Sequence, residues 1–567
     1  MNDSSIKMWL VVWMMWLVWG GESRAATEVK YPADAPVWNV RSYGALGNGT
    51  ADDTLAFREA ISAALSQGSL YGAQPIIYVP NGTYKLTDQL QAKVLNSTKW
   101  NGWRSGFWIQ GESRAGAVLK LANNAVGYGS STAPKAVLMT GSENPNDATL
   151  GTGNQAFRHY IRNLTIDVGS GNPGAIGIDY LVSNRGGIFD VTVRSGDVAG
   201  VGKTGISMNR AWPGPAMIKD VSIVGFDTAM ELSSGTGSLT NGHYQYGITV
   251  ENLTLQNQRV RGINMPRNTL HVRGLTSQNT VPVISMQHQA SHLTLVDAVL
   301  SGGGAGNAAV INKGKVLLRN LSSSGYGTVV SDQTGNNRPV AGGSGVREVE
   351  KYVSHGPYKK FADAVDGSVG LPVLETPDYN TLDLSKWKNV LSTGATVSNG
   401  SGDTVDDDQP GIQAAIDSGA EIVYLPRGTY AVSSPIVVRG NVRKLIGLHA
   451  AILLRSNFPA GQPMIRFDGG TPTFCVLQTI RANGMIEHNS AKDLVMKSFE
   501  SGPYYNTNNG TGRVFGEDYK IQDEIEIARN RMLIKFGQLA WFRQLNIEFA
   551  KNPVAFCGRR GTARFGC

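Results

Sequence analysis

The chain has 567 residues, 41% of them apolar and 17% charged, which is enough to bury a sizeable core and excludes a disordered polypeptide. Its formal charge of +8 is spread along the sequence without a basic run or an aromatic-interleaved arginine cluster, so nucleic acid is not an expected partner, although a diffuse positive potential favours anionic glycans weakly. Three cysteines (Cys475, Cys557 and Cys567) show no metal-ligand spacing, and no P-loop, dinucleotide-binding glycine motif or Gly-x-Ser-x-Gly elbow occurs. No cofactor and no metal are expected.

In chain order, the first element is an address. Met8 to Trp19 is an unbroken apolar run after Lys7, followed by Ser23-Arg24-Ala25, whose small residues suit signal peptidase. The competing reading, a membrane anchor, needs about 20 apolar residues. Residues 1–25 are therefore expected to be a signal peptide, and the mature chain to be secreted, extracellular or periplasmic, with no membrane contact after cleavage.

The next element occurs twice. Asn48-Gly49-Thr50-Ala51-Asp52-Asp53 leads into Leu55 to Ile61 and then Tyr78-Val79-Pro80-Asn81-Gly82-Thr83-Tyr84. Further on, Asp406-Asp407-Asp408 leads into Ile412 to Ile416 and then Tyr424-Leu425-Pro426-Arg427-Gly428-Thr429-Tyr430. Each copy reads as a short helix, a strand, a tight turn and a strand, the way a solenoid covers its first coil. The paired aspartates suit helix capping better than acid/base chemistry, because carboxylates satisfy the free amides of a helix start. Two copies a domain's length apart predict two domains, at 26–345 and 386–567, with a connector at 346–385. The second domain is much the shorter and is expected to lack its last coils.

Between the two starts runs a recurring phrase: Ile161-Arg162-Asn163-Leu164-Thr165-Ile166, then equivalents at Ile188, Ile218, Val250, Val272 and Leu318. Successive copies from Ile161 to Val272 lie 27, 30, 32 and 22 residues apart, one coil of a three-stranded solenoid each, with apolar and polar residues alternating. The 69 glycines fit a fold with many turns. The recurring Asn163, Asn252 and Asn320 read as turn caps rather than substrate contacts. The fold class is therefore all-β: tandem right-handed parallel β-helices, each opened by a short capping helix, in a chain expected to be monomeric.

The doubled start resembles that of the pectate-lyase-superfamily β-helix proteins of rhamnogalacturonase/epimerase type, and the two-copy form is similar to glycoside hydrolase family 55, the β-1,3-glucanases. Asn172 to Tyr180 resembles a first-domain signature of that family, and Tyr352 to Pro357 with Leu371 to Pro377 resembles its connector. Phe515-Gly516-Glu517-Asp518 and Trp541-Phe542-Arg543-Gln544-Leu545-Asn546-Ile547-Glu548 resemble its acidic segment and a late strand. The resemblance implies an inverting glycosidase with its cleft between the two β-helices and a polysaccharide substrate. Inversion needs one carboxylic acid for the leaving oxygen and a second group to place water. Glu548 is the candidate acid and Glu517 the second carboxylate. Trp541, Arg543, Gln544 and Asn546 are candidate sugar contacts, and Asp179, Ser183 and Asn184 candidates for water placement.

The sequence also departs from that pattern. After Asn209 it has Arg210-Ala211-Trp212-Pro213-Gly214-Pro215 in place of a glycine- and serine-rich turn, and the family's last strand is replaced by Val554 to Cys567. Two other classes stay open. A polyuronate lyase or epimerase would need carboxylates for calcium, and Asp167, Asp190 and Asp220 lie on or beside strands. A non-catalytic glycan-binding protein would use the same solenoid flank as a groove. His488 reads as a packed histidine.

Overall fold

The polar residue of the recurring phrase is the hinge of each coil. The computed structural model describes residues 28–66, 75–142, 156–210, 214, 216–232, 247–355, 374–397, 406–506, 510–527, 532–547 and 555–556. In it Asn163, Asp190, Asp220, Asn252, Asp297 and Asn320 all lie at φ of 53–57°, the left-handed region that Asn, Asp and Gly tolerate. Gly274 takes the same place at φ 71°. Pairing skips one residue there: Arg162 faces Phe189 and Leu164 faces Val191, leaving Asn163 and Asp190 out of the ladder. The expectation that these asparagines cap turns is therefore corrected. They sit inside strands, bend them, and bond along the stack, Asn252 Nδ2 donating to Asp220 Oδ1 at 2.9 Å and Asn320 Nδ2 to Asp297 Oδ1 at 2.8 Å.

On either side of the hinge, apolar residues point inward. Ile161, Ile188, Ile218, Val250, Val272, Leu295 and Leu318 stack coil over coil in one buried core. Their strands, from Phe157–Asp167 through Lys315–Ser324, form half of a 14-stranded sheet, and the next strand of each coil joins a ten-stranded sheet that includes Ala175–Asp179, Thr204–Met208, Thr228–Leu232 and Arg261–Met265. Neighbours in both sheets are parallel until the last coil. There Val346–Val353 pairs antiparallel with Lys315–Ser324, so the first solenoid's sheet extends past residue 345, where the sequence placed a connector. A second 14-stranded sheet, from Trp387–Asn389 onward, encloses a separate core around Ile412, Leu445, Leu477, Leu494 and Met496. The chain is all-β with two tandem parallel β-helices, as expected.

Both starts fold alike. Helix α1, Thr54–Ser66, and helix α2, Gln409–Asp417, bury one apolar face over the first coil of each solenoid. Asp52 Oδ1 accepts from Thr54 N at 3.0 Å and Asp407 Oδ1 from Gln409 N at 3.3 Å, which caps each helix. The following aspartates turn the other way and tie loops, Asp53 to Leu46 N at 2.6 Å and Asp408 to Thr396 N at 2.7 Å. Tyr84 Oη and Tyr430 Oη donate to Pro80 O and Pro426 O at 2.9 and 2.8 Å. The aspartates and tyrosines of the motif are thus occupied in building the cap. Among the described residues no helix is long and apolar enough to cross a membrane.

Candidate site at the seam between two β-helices

The outer face of the first long sheet packs against that of the second, and the residue preceding each hinge decides what meets there. Reading along the first solenoid, that position is Arg162, Phe189, Lys219, Glu251 and Arg273, each facing the next across the ladder. In the second solenoid Gln478, Lys497 and Glu517 are ladder neighbours. An apolar layer including Trp108, Tyr160, Phe189 and Met217 of the first with Trp387, Ile422, Tyr424 and Ile446 of the second closes one part of the seam.

Beside it runs a row of alternating charge. Lys444 and Lys497 both bind Asp378 of the connecting segment, at 3.0 and 2.9 Å. Lys497 continues to Glu517 at 3.4 Å, Glu517 accepts from Lys219 Nζ at 2.7 Å, and Lys219 reaches Glu251 at 3.4 Å. Glu251 meets Arg273 at 2.8 Å, and Arg273 meets Glu375 at 2.5 Å. Four cations thus alternate with four anions. The Lys219 and Glu517 side chains are 3% and 2% exposed. Burial alone would lower the Lys219 ammonium, but Glu517, Glu251 and Asp220 together hold it above the ordinary lysine value, so it stays charged.

A third layer is rich in arginine. Tyr160 Oη donates to Asp518 Oδ2 at 2.6 Å, Gly186 N to Asp518 Oδ1 at 3.3 Å, and Arg162 Nη2 to Ser498 Oγ at 2.7 Å. Full burial pushes the Asp518 carboxyl up to about 6, against the pull of Arg185, the Tyr160 and Ser498 bonds and Arg162. Arg185 stands 4.0 Å from Glu500, which also faces Arg481 at 3.7 Å.

Of the residues singled out from sequence, Glu517 is in the ionic row. Asp179 Oδ1 accepts from Arg210 Nε at 2.9 Å on the ten-stranded sheet, and Ser183 is buried where the strand Ser183–Arg194 begins. Trp541, Arg543, Gln544 and Asn546 lie on the strand Met532–Ile547, which pairs in parallel with Val514–Ile527; their side chains, and that of Asn184, are not described. Glu548, residues 1–25, Cys557 and Cys567 fall outside the described residues. Cys475 is buried, its thiol pushed up to about 12, and His488 is buried against Phe467 with its imidazole pushed down to about 4 by desolvation. Asp190 and Asp220 are hinge residues, and Asp167 binds Arg194 at 2.9 Å. Among the described residues no three His, Cys, Asp or Glu side chains are grouped to hold a metal ion.

One carboxylate escaped the sequence reading. Glu231 lies on the outer face of the ten-stranded sheet in a ladder row Asp179, Ser207, Glu231, Asn264 and Ser285. It accepts from Asn264 Nδ2 at 2.6 Å, and desolvation holds its carboxyl above the usual value against that bond and the pull of Arg261 and Lys203. Its partner is 33 residues away, so no local pattern marked it.

Stacked parallel coils with polar outer rows define the chain as a β-helix protein. More narrowly, it belongs to the rhamnogalacturonase A/epimerase, pectate lyase-like family, whose model matches residues 37–281 and 387–490, together more than half of the sequence. It is similar to a glucan 1,3-beta-glucosidase of Cochliobolus carbonum, 24% identical over 458 residues, which cover 73% of this chain and 53% of that protein. The chain thus spans about half the length of that relative. Among solved structures it is similar to the phiAB6 tailspike in complex with oligosaccharides of Acinetobacter baumannii surface polysaccharide, at TM-score 0.31 and 12% identity over 59% of each chain. It is also similar to the catalytic unit of a GH87 alpha-1,3-glucanase from Streptomyces thermodiastaticus, at TM-score 0.28 and 12% identity over 93% of this chain and 72% of that one.

Proposed function

We propose that the chain is a secreted, polysaccharide-active glycoside hydrolase that cleaves β-1,3-linked glucan with inversion. The observation that supports this most directly is its similarity, over 73% of the chain, to a glucan 1,3-beta-glucosidase. Glu548, next in sequence after the strand Met532–Ile547, is the candidate acid, with Trp541, Arg543, Gln544 and Asn546 as candidates for a sugar ring and its hydroxyls. Glu517 is enclosed between Lys219 and Lys497, which suits a positioning role: it fixes the strand Val514–Ile527 on which the Met532–Ile547 strand is laid.

A second location for the same chemistry rests on the Glu231 row. Asp179 and Glu231 are two strands apart, a backbone separation of about 9–10 Å, near the upper end of the roughly 6.5–9.5 Å between carboxyls that an inverting mechanism uses. Glu231, held protonated more readily than an ordinary glutamate, would serve as the acid there.

The test is product release from laminarin, with polygalacturonate and alginate as comparisons and EDTA controls. Loss of laminarin hydrolysis in Glu548→Gln, with Glu231→Gln active, supports the seam. The reverse pattern moves the chemistry to the ten-stranded sheet. Unsaturated uronate products that disappear in EDTA overturn the hydrolase reading in favour of a lyase, and binding without turnover of any of the three overturns it in favour of a glycan-binding protein.

A further inference from the structure

The arginine layer of the seam differs from the ionic row beside it in one respect that electrostatics makes costly. In the row every cation lies against at least one carboxylate. In the arginine layer Arg185 lies 4.0 Å from Glu500 and acts with Arg162 on the Asp518 carboxyl, and both arginines also act on His449. A buried guanidinium is costly unless its N–H groups are paired and hydrogen-bonded.

The polar atoms in this layer say the same. Arg185 is 6% exposed, yet its Nε and Nη1 have no hydrogen-bond partner, and Arg162 Nε, Trp108 Nε1 and His449 Nε2 have none either. Buried donors are almost always satisfied, so five orphaned nitrogens at one seam mark a missing acceptor. They are held in place around it. The Arg162 guanidinium lies 4.1 Å from the Phe189 ring centre, 4.9 Å from that of Tyr160 and 5.5 Å from that of Trp108, and the Trp108 and His449 rings are 5.0 Å apart. The His449 imidazole is driven far below its ordinary value by burial first and then by Arg158, Arg185, Arg427 and Arg162, which makes it neutral and able to donate without adding charge.

Backbone geometry supplies an independent sign. His449, Thr479, Ser498 and Asp518 occupy the hinge position of the second solenoid, at φ of 48–62°. In the first solenoid that position is held only by Asn, Asp or Gly at the coils named above, which suit it. Thr479 is β-branched, a poor choice for a left-handed residue, and it too is buried with an unpartnered hydroxyl. Strain kept in the one row that faces the arginine layer is strain kept at a working site.

We propose that Arg162 and Arg185, with Trp108 and His449, form an anion site in the seam that takes a compact carboxylate or oxyanion, either free or carried as the acid group of a uronic sugar. The unpartnered Arg162 Nε, Arg185 Nε and Arg185 Nη1 can each donate a charge-assisted hydrogen bond to such a group, and the aromatic rings hold Arg162 in place before it arrives. The site does not depend on the glucan reading, since a laminarin assay can fail or succeed without touching it.

The test is thermal unfolding of the full chain in HEPES buffer at constant ionic strength, titrated with low-millimolar sodium sulfate, sodium galacturonate or galactose. A saturable rise of about 2 °C at about 100-fold excess over Kd is expected with an anion and none with galactose. Sulfate alone acting identifies a free oxyanion, and galacturonate acting identifies a sugar-borne carboxylate. Arg185→Met abolishes the shift, and Arg162→Gln, which keeps Arg185, raises the half-saturating concentration at least tenfold. No shift with either anion, an equal shift with galactose, or a shift unchanged in both variants overturns the proposal.

Discussion

Replacing Lys219 by methionine keeps most of the volume of the side chain and removes the cation at the centre of the ionic row. Glu517 is left with Lys497 at 3.4 Å, and Glu251 with Arg273 at 2.8 Å. Because Lys219 and Glu517 are both almost fully enclosed, solvent cannot replace the lost partner, and breaking a buried pair by removing one member costs about 3–5 kcal/mol. The exposed pair Arg439 and Asp417, at 2.8 Å but half open to water, is the internal comparison: Arg439→Gln costs about 0–1 kcal/mol. The assay is urea unfolding followed by tryptophan fluorescence, comparing both variants with the parent. The double variant Lys219→Met with Glu517→Met removes the uncompensated charge with its partner, so it recovers much of the loss. Molar salt weakens the Arg439 pair and leaves the Lys219 effect nearly unchanged. If Lys219→Met costs no more than Arg439→Gln, or the double variant loses the sum of its parts, the seam is not held as described.

His159 is fully buried; Phe107 N donates to its Nδ1 at 3.1 Å, so the proton sits on Nε2 toward Gly141 O, also at 3.1 Å. Desolvation pushes its imidazole down to about 3, so below the unfolded value of about 6.5 the unfolded chain binds the proton first. Its contribution is intact above pH 6.5 and is lost as pH falls toward 3, by about 1.4 kcal/mol per pH unit. His159→Gln therefore flattens the acid limb of stability against pH, measured by urea midpoints from pH 7 to 4, and an unchanged slope contradicts this. At the hinge, Asn252→Ala loses the bond to Asp220 and puts a Cβ-bearing residue without local bonding at φ 54°, a cost of about 1–2 kcal/mol above that of Asn252→Gly. Equal midpoints for the two variants would refute the hinge assignment.

The solenoid was legible because its information is local. The phrase from Ile161 to Ile166 carries inward apolar residues and a hinge within six positions, and the duplicated start carries its own capping bonds. What the hinge does was misread, since Asn and Asp favour both turns and left-handed strand bends and only ladder register separates the two. The seam was hidden for another reason. Lys219 meets Glu517 across 298 residues, and Tyr160 meets Asp518 across 358, distances over which no periodicity speaks. One signal was present all the same: in three successive repeats the residue before the hinge is Lys219, Glu251 and Arg273, a sign alternation that an exposed face has no need of.

The reversed strand Val346–Val353 has a consequence for how far the first solenoid can grow. A parallel stack ends in a row of open backbone groups that any further coil, from this chain or a copy of it, is shaped to extend. Here the final strand runs against the rest, so a further coil wound in the direction of the stack would have to pair antiparallel with it and could not repeat the parallel ladder of the coils before. Its exposed side chains include Arg347, Glu348, Glu350 and Lys351, which would have to be stripped of water to be covered. The stack is thus a polymer of coils with its own chain terminator, written into eight residues.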